Sequence, residues 1–216
     1  MTKTLPARLG FWSSVIVTVL GVVYLVILVV FFSTLGFETP PTPFVQTFSA
    51  LGTIIMAPAI LVIFAVIAHL SSKEQRVLGT VGLSFTILFV AMTIINRFVQ
   101  LTVILQSSPA EQASDLARFL PYGTGSVMLA LEFLGWSFFL PIACLFVAPL
   151  FSGPRLNRVI RWLFILYAIF GLMGLAGFAT TTPLQNLGFI AWGPVLLALT
   201  VCLSILFRRD EAPILG

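Results

Sequence analysis

The chain has 216 residues, 59% hydrophobic and only 8% charged, with a mean hydropathy of +1.13. A soluble domain carries about 25% charged residues and must keep its outside wetted, so this composition excludes one, and its hydrophobicity excludes disorder. Eleven Lys and Arg against seven Asp and Glu give a net charge of +4, and the only two cysteines, Cys144 and Cys202, sit in apolar runs, which excludes a secreted disulfide scaffold.

A helix needs roughly 20 apolar residues to cross the hydrocarbon core. Six stretches meet or approach that length, at about 11–35, 44–69, 77–105, 124–151, 160–178 and 187–207. They leave little chain for anything else. The expected fold is all-α: a single transmembrane domain over 1–216, a polytopic six-helix bundle. The first stretch follows Lys3 and Arg8 as a signal peptide would, but its run of about 25 residues exceeds an h-region of roughly 7–15, so it reads as a retained helix.

Loop charge gives the orientation. Lys3 and Arg8, then Lys73 and Arg76, then Arg155, Arg158 and Arg161, and finally Arg208 and Arg209 all fall on one side of a six-span assignment. The other side has only Arg118, and Arg97 lies within a span. Short loops rich in Lys and Arg stay cytoplasmic, so both termini are expected inside, in a cytoplasmic (inner or plasma) membrane. The basic excess is then topological rather than a nucleic-acid site, and no nucleic-acid partner is expected.

Between the first two spans, Phe37-Glu38-Thr39-Pro40-Pro41-Thr42-Pro43 is too proline-rich for a helix and reads as a stiff extended connector. Between the third and fourth, Ser108-Pro109-Ala110-Glu111 spells a capping box with proline at the first helical position. Ala113, Leu116, Phe119 and Leu120 follow at helical spacing, and Pro121 stops the run. A short amphipathic helix flat on the outer interface is expected, as a cover for helix ends or as a lid formed by Leu116, Phe119 and Leu120, with Gly123 and Gly125 as its hinge. Within the spans, Pro58, Pro141 and Pro194 should free the carbonyls of Ile54, Ser137 and Ile190. Gly171, Gly174 and Gly177 form a small-residue stripe on which another helix can pack closely.

Ionisable residues inside a span are costly, and only Arg97 and Glu132 qualify. Each lies eight residues from the outer end of its helix, roughly 12 Å deep at 1.5 Å per residue, so the two can meet at one level. Thr93, Asn96 and Gln100 share the Arg97 face, while Met128, Gly135, Trp136 and Phe139 share that of Glu132. Tyr122 lies in the same outward half. Two readings stand. The residues Arg97, Glu132, Asn96, Gln100, Trp136 and Tyr122 line an outward pocket that binds or passes a small amphiphile or anion, or the charge pair is packing glue in an accessory or structural membrane subunit. A lipid-headgroup enzyme is the third option.

Signs of chemistry are few. There is one histidine, His69, at the cytoplasmic end of the second span, no clustered metal ligands, no CxxC and no phosphate loop. Gly123-Thr124-Gly125-Ser126 resembles a nucleophile's surroundings, but His69 is expected on the opposite membrane face. No catalytic residue, metal or cofactor is assigned. The expected partners are the lipid bilayer, the amphiphile or anion, and a second copy or another membrane subunit.

Asn96-Arg97-Phe98-Val99-Gln100, with its Arg-x-x-Gln, and Ser152-Gly153-Pro154-Arg155-Leu156 leading into the Gly-rich helix Ile165 to Gly177 resemble an uncharacterised six-helix bacterial membrane family over about the last 120 residues. Polar residues which that family carries in its fourth helix are here Leu131, Phe133 and Phe138. The resemblance implies a six-helix bundle in a bacterial cytoplasmic membrane and carries no activity.

Overall fold

The structure is a computed structural model that describes residues 4–35, 41–122 and 125–209. These residues carry six helices long and apolar enough to cross a membrane: Leu5–Phe31, Pro43–Leu70, Arg76–Ile104, Val127–Leu150, Arg155–Ala179 and Pro183–Arg208. The first and second are α1 (Leu5–Leu35) and α2 (Pro43–Leu70). The third is α3 (Arg76–Val99) with a wide π turn at Gln100–Ile104. The fourth joins α5 (Val127–Leu134) to α6 (Leu140–Val147) through a π turn at Gly135–Phe139. The fifth is α7 (Arg155–Ala179). The sixth joins α8 (Asn186–Ile190) to α9 (Leu196–Arg208) through a third π turn, Ala191–Val195.

Several helices begin where the hydropathy does not. α1 starts six residues before the apolar run and α7 five residues before it, so Arg8, Arg155 and Arg158 lie on helices rather than in loops. Backbone bonding continues past the apolar stretch, and long cationic side chains can still reach water from a helix end. α2 starts where Thr42 accepts a bond from the Val45 N–H and Pro43 fills a position that needs no donor. Residues 36–40 of the expected stiff connector lie outside the described residues.

Each span packs against the next, and α9 returns against α1, where Thr18 and Thr200 share a hydroxyl hydrogen bond of 2.8 Å. The core between the spans is aliphatic and aromatic, with Ile60, Ile67, Phe89, Leu140, Phe164, Tyr167 and Phe207 all at 2% exposure or less. The fourth span is the most buried, and α1 the least, with an outward face of Val19, Val22, Val26 and Val29.

The glycine stripe is packed closely by other helices of the same chain. Gly174 lies against Gly188, Gly177 against Leu184 and Gln185, and a Cβ on Gly171 would sit 2.5 Å from Pro141 Cγ. The close approach that small residues permit is used inside the fold, between the fifth span and its own neighbours. The connection after the third span is also less regular than a single interfacial helix. The capping box is present, with the Ser108 N–H donating to Glu111 Oε2 at 2.8 Å, but α4 covers only Pro109–Ala113. Ser114 leaves helical geometry at φ −106°, ψ −83°, and a separate 3₁₀ turn, Ala117–Phe119, follows. The Ser114 hydroxyl bonds back to the Ala110 carbonyl, the kind of local competition that makes Ser and Asp poor helix interiors.

Candidate functional site

The polar residues of the third and fourth spans meet between α3 and α5, in the half of the bundle nearest the 105–126 connection. Arg97 Nη2 donates to Glu132 Oε1 at 2.6 Å, with the two side chains 12% and 10% exposed. Arg97 Nη1 donates to Gln100 Oε1 at 2.8 Å. Asn96 Nδ2 donates to Glu132 Oε2 at 2.8 Å and to the Met128 carbonyl at 3.1 Å. Both carboxylate oxygens of Glu132 therefore have a donor, and the fragment is neutral overall. An isolated buried charge would cost far more than this hydrogen-bonded pair. Helical spacing explains the set: Thr93, Asn96, Arg97 and Gln100 recur at three- and four-residue steps along one face of α3 and its π extension.

The same interface leaves polar atoms unused. Thr93 Oγ1, Asn96 Oδ1, Arg97 Nε and Trp136 Nε1 are buried without a hydrogen-bond partner. Thr93 is the informative one. Ser14, Thr18, Thr53, Thr80, Ser84, Thr86 and Thr102 each donate to the carbonyl four residues back. Thr93 does not. A Cβ on Gly135 would lie 3.2 Å from its oxygen, which places the hydroxyl against the fourth span beside Trp136. Two donors, one acceptor and one hydroxyl able to do either are thus left over along the interface that holds the ion pair.

Trp136 does not stack on the guanidinium. Its ring meets Phe89 edge-on at 4.7 Å and lies 6.3 Å from Trp192. Next to it, Phe133 stacks on Phe178 at 4.3 Å and meets Trp192 at 4.8 Å, so an aromatic cluster ties the fourth, fifth and sixth spans together. Tyr122 is half-buried, and among the described residues no hydrogen bond joins it to Arg97 or Glu132. Leu116 and Leu120 are half-buried and Phe119 is exposed, while the Gly123 end of the expected hinge lies outside the described residues. His69 is exposed at the far end of α2, and no group of three or more metal-ligating side chains occurs among the described residues.

Pro141 leaves a carbonyl free one residue before the expected one. The Leu140 N–H reaches back five residues to the Gly135 carbonyl, and Pro141 has no N–H to carry that register on to Trp136. The buried Tyr167 hydroxyl donates to the Trp136 carbonyl at 3.1 Å. The Ser137 side chain accepts instead from Trp192 Nε1, at 3.1 Å. Tyr167 and Ser137 carry this second network and were not singled out from sequence. The only signal for it was Pro141, whose effect shifts by one residue when a π turn precedes it.

Comparison with protein-family models, with curated proteins and with solved structures finds no match to this chain. The resemblance to an uncharacterised six-helix family therefore rests on its short motifs alone.

Proposed function

We propose that this is a multi-pass membrane protein, both termini in the cytoplasm, that works by binding a small polar amphiphile in the outward half of the bundle. What supports it is the set of unused buried polar atoms, Thr93 Oγ1, Asn96 Oδ1, Arg97 Nε and Trp136 Nε1, along the interface that holds a pair already neutralised. This refines the sequence-based expectation. With its guanidinium held by Glu132 and Gln100, Arg97 has no net charge to offer an anion, whereas one donor–acceptor group of a neutral or zwitterionic molecule suits the leftover set. The segment 109–120 is the covalently nearest cover for such a site.

A second reading has its own support. The short Arg97–Glu132 contact, with Asn96 donating to the second carboxylate oxygen, serves as a lock between the third and fourth spans of an accessory subunit, with the unused atoms met by internal water. One experiment separates the two. Thr93→Cys, in a chain with Cys144 and Cys202 replaced by Ala, is exposed to methyl methanethiosulfonate and to its anionic sulfonatoethyl analogue. The binding reading expects reaction with the small neutral reagent and little with the anionic one. No reaction with either, while Glu111→Cys is fully modified, contradicts it and leaves the lock.

A further inference from the structure

We infer that the first three turns of α7 bind an anionic phospholipid, its headgroup on Arg155 and Arg158 and an acyl chain along the apolar residues that follow. This inference is independent of the Arg97 site and rests only on the helix crossing a membrane. Arg155, Arg158, Val159, Trp162, Leu163 and Leu166 line one shallow concavity on the side of the helix. Their spacing of three and four residues puts them on a single face. The order along that face is chemical: two exposed cations at the helix start, then Val159 and Trp162, the latter at 66% exposure, then Leu163 and Leu166. Cations at the helix start, a tryptophan one turn on and leucines beyond it along this furrow match phosphate, glycerol ester and chain.

Charge complementarity identifies the occupant. Among the described residues neither Arg155 nor Arg158 has a carboxylate partner, the Arg97–Glu132 pair being the single ion pair there. Arg161 supplies an internal control. It is just as exposed and lies on the same helix, but its position in the helical repeat falls about 60° beyond Arg158, off the furrow. If loop charge alone attracted anionic lipid, Arg161 would contribute as much as the other two.

The test is native mass spectrometry of the full chain released from neutral detergent with equal amounts of phosphatidylglycerol and phosphatidylcholine. Phosphatidylglycerol should be retained preferentially. Arg155→Gln and Arg158→Gln should each lower that retention about fivefold, from roughly 1 kcal/mol per cation near a lipid surface, and Arg161→Gln should leave it unchanged. Millimolar inorganic phosphate should not compete, because it has no chain for the furrow. Equal retention of the two lipids, an Arg161→Gln loss equal to that of Arg158→Gln, or displacement by inorganic phosphate would each overturn the assignment.

Discussion

Arg97 gives one terminal nitrogen to Glu132 and the other to Gln100, while its Nε stays unused. Removing one member of a buried pair leaves the other uncompensated and typically costs about 3–5 kcal/mol. Arg97→Ala and Glu132→Ala should each lower stability in detergent by about that amount. Arg97→Met combined with Glu132→Leu should recover most of it, since Asn96 Nδ2 keeps the Met128 carbonyl. Equality of the double variant with the sum of the singles, measured by thermal unfolding, would show that the residues are not coupled. The pair was legible in the sequence, because a lone Arg and a lone Glu at matching depth in adjacent apolar runs have few other ways to be satisfied. The unused Thr93 hydroxyl was not. Whether a threonine bonds to its own helix or faces its neighbour is a choice of rotamer, and Gly135 on the facing helix makes the room.

At the scale of elements, the glycines and the π turns decide how close the spans come. A Cβ at Gly174 would run into the Gly188 backbone, and one at Gly177 into the Leu184–Gln185 peptide. Neither contact is with a side chain that can swing away, so Gly174→Ala and Gly177→Ala should separate the fifth and sixth spans and destabilise by about 1–3 kcal/mol or more, the range of overpacked interiors. Gly52 on α2 has nothing within 4 Å, and Gly52→Ala should stabilise by up to about 1 kcal/mol through helix propensity alone. Similar losses at Gly52 and Gly174 in a thermal-unfolding series would contradict the packing. Tyr167→Phe strands the Trp136 carbonyl and should cost about 1–3 kcal/mol, as for a buried acceptor left unmade.

The short helix α4 has its own pH signature. Bonds from the Ser108 hydroxyl and N–H hold the Glu111 carboxyl below its ordinary value. A lowered folded-state value means that the cap stabilises α4 above the unfolded carboxylate range and is lost as pH falls through the folded value. Amide exchange at residues 109–113, corrected for intrinsic rates, should therefore speed up on acidification, and Glu111→Gln should remove that dependence. The cap could be read from Ser-Pro-Ala-Glu because each residue acts on its immediate neighbours. The break at Ser114 and the π turns could not, since a five-residue register depends on what the adjacent span offers to a freed carbonyl.

Across the whole molecule, six apolar helices close into a ring by packing α9 on α1, and the polar pair sits in the half nearest the 105–126 connection. The number of spans followed from hydropathy because each run is long enough to cross by itself. Their mutual order did not, and the internal use of the glycine stripe appeared only with the fold. In the proposed orientation this polar half faces outward while both ends of the chain stay inside. Single cysteines at Glu111 or Gln185 and at Lys73 or Arg158, in a chain with Cys144 and Cys202 replaced by Ala, test that orientation with an impermeant maleimide applied to intact cells. Glu111→Cys and Gln185→Cys should be labelled from outside, and Lys73→Cys and Arg158→Cys only after the membrane is opened. Labelling of Lys73→Cys or Arg158→Cys on intact cells would contradict the orientation and, with it, an outward-facing site at Arg97.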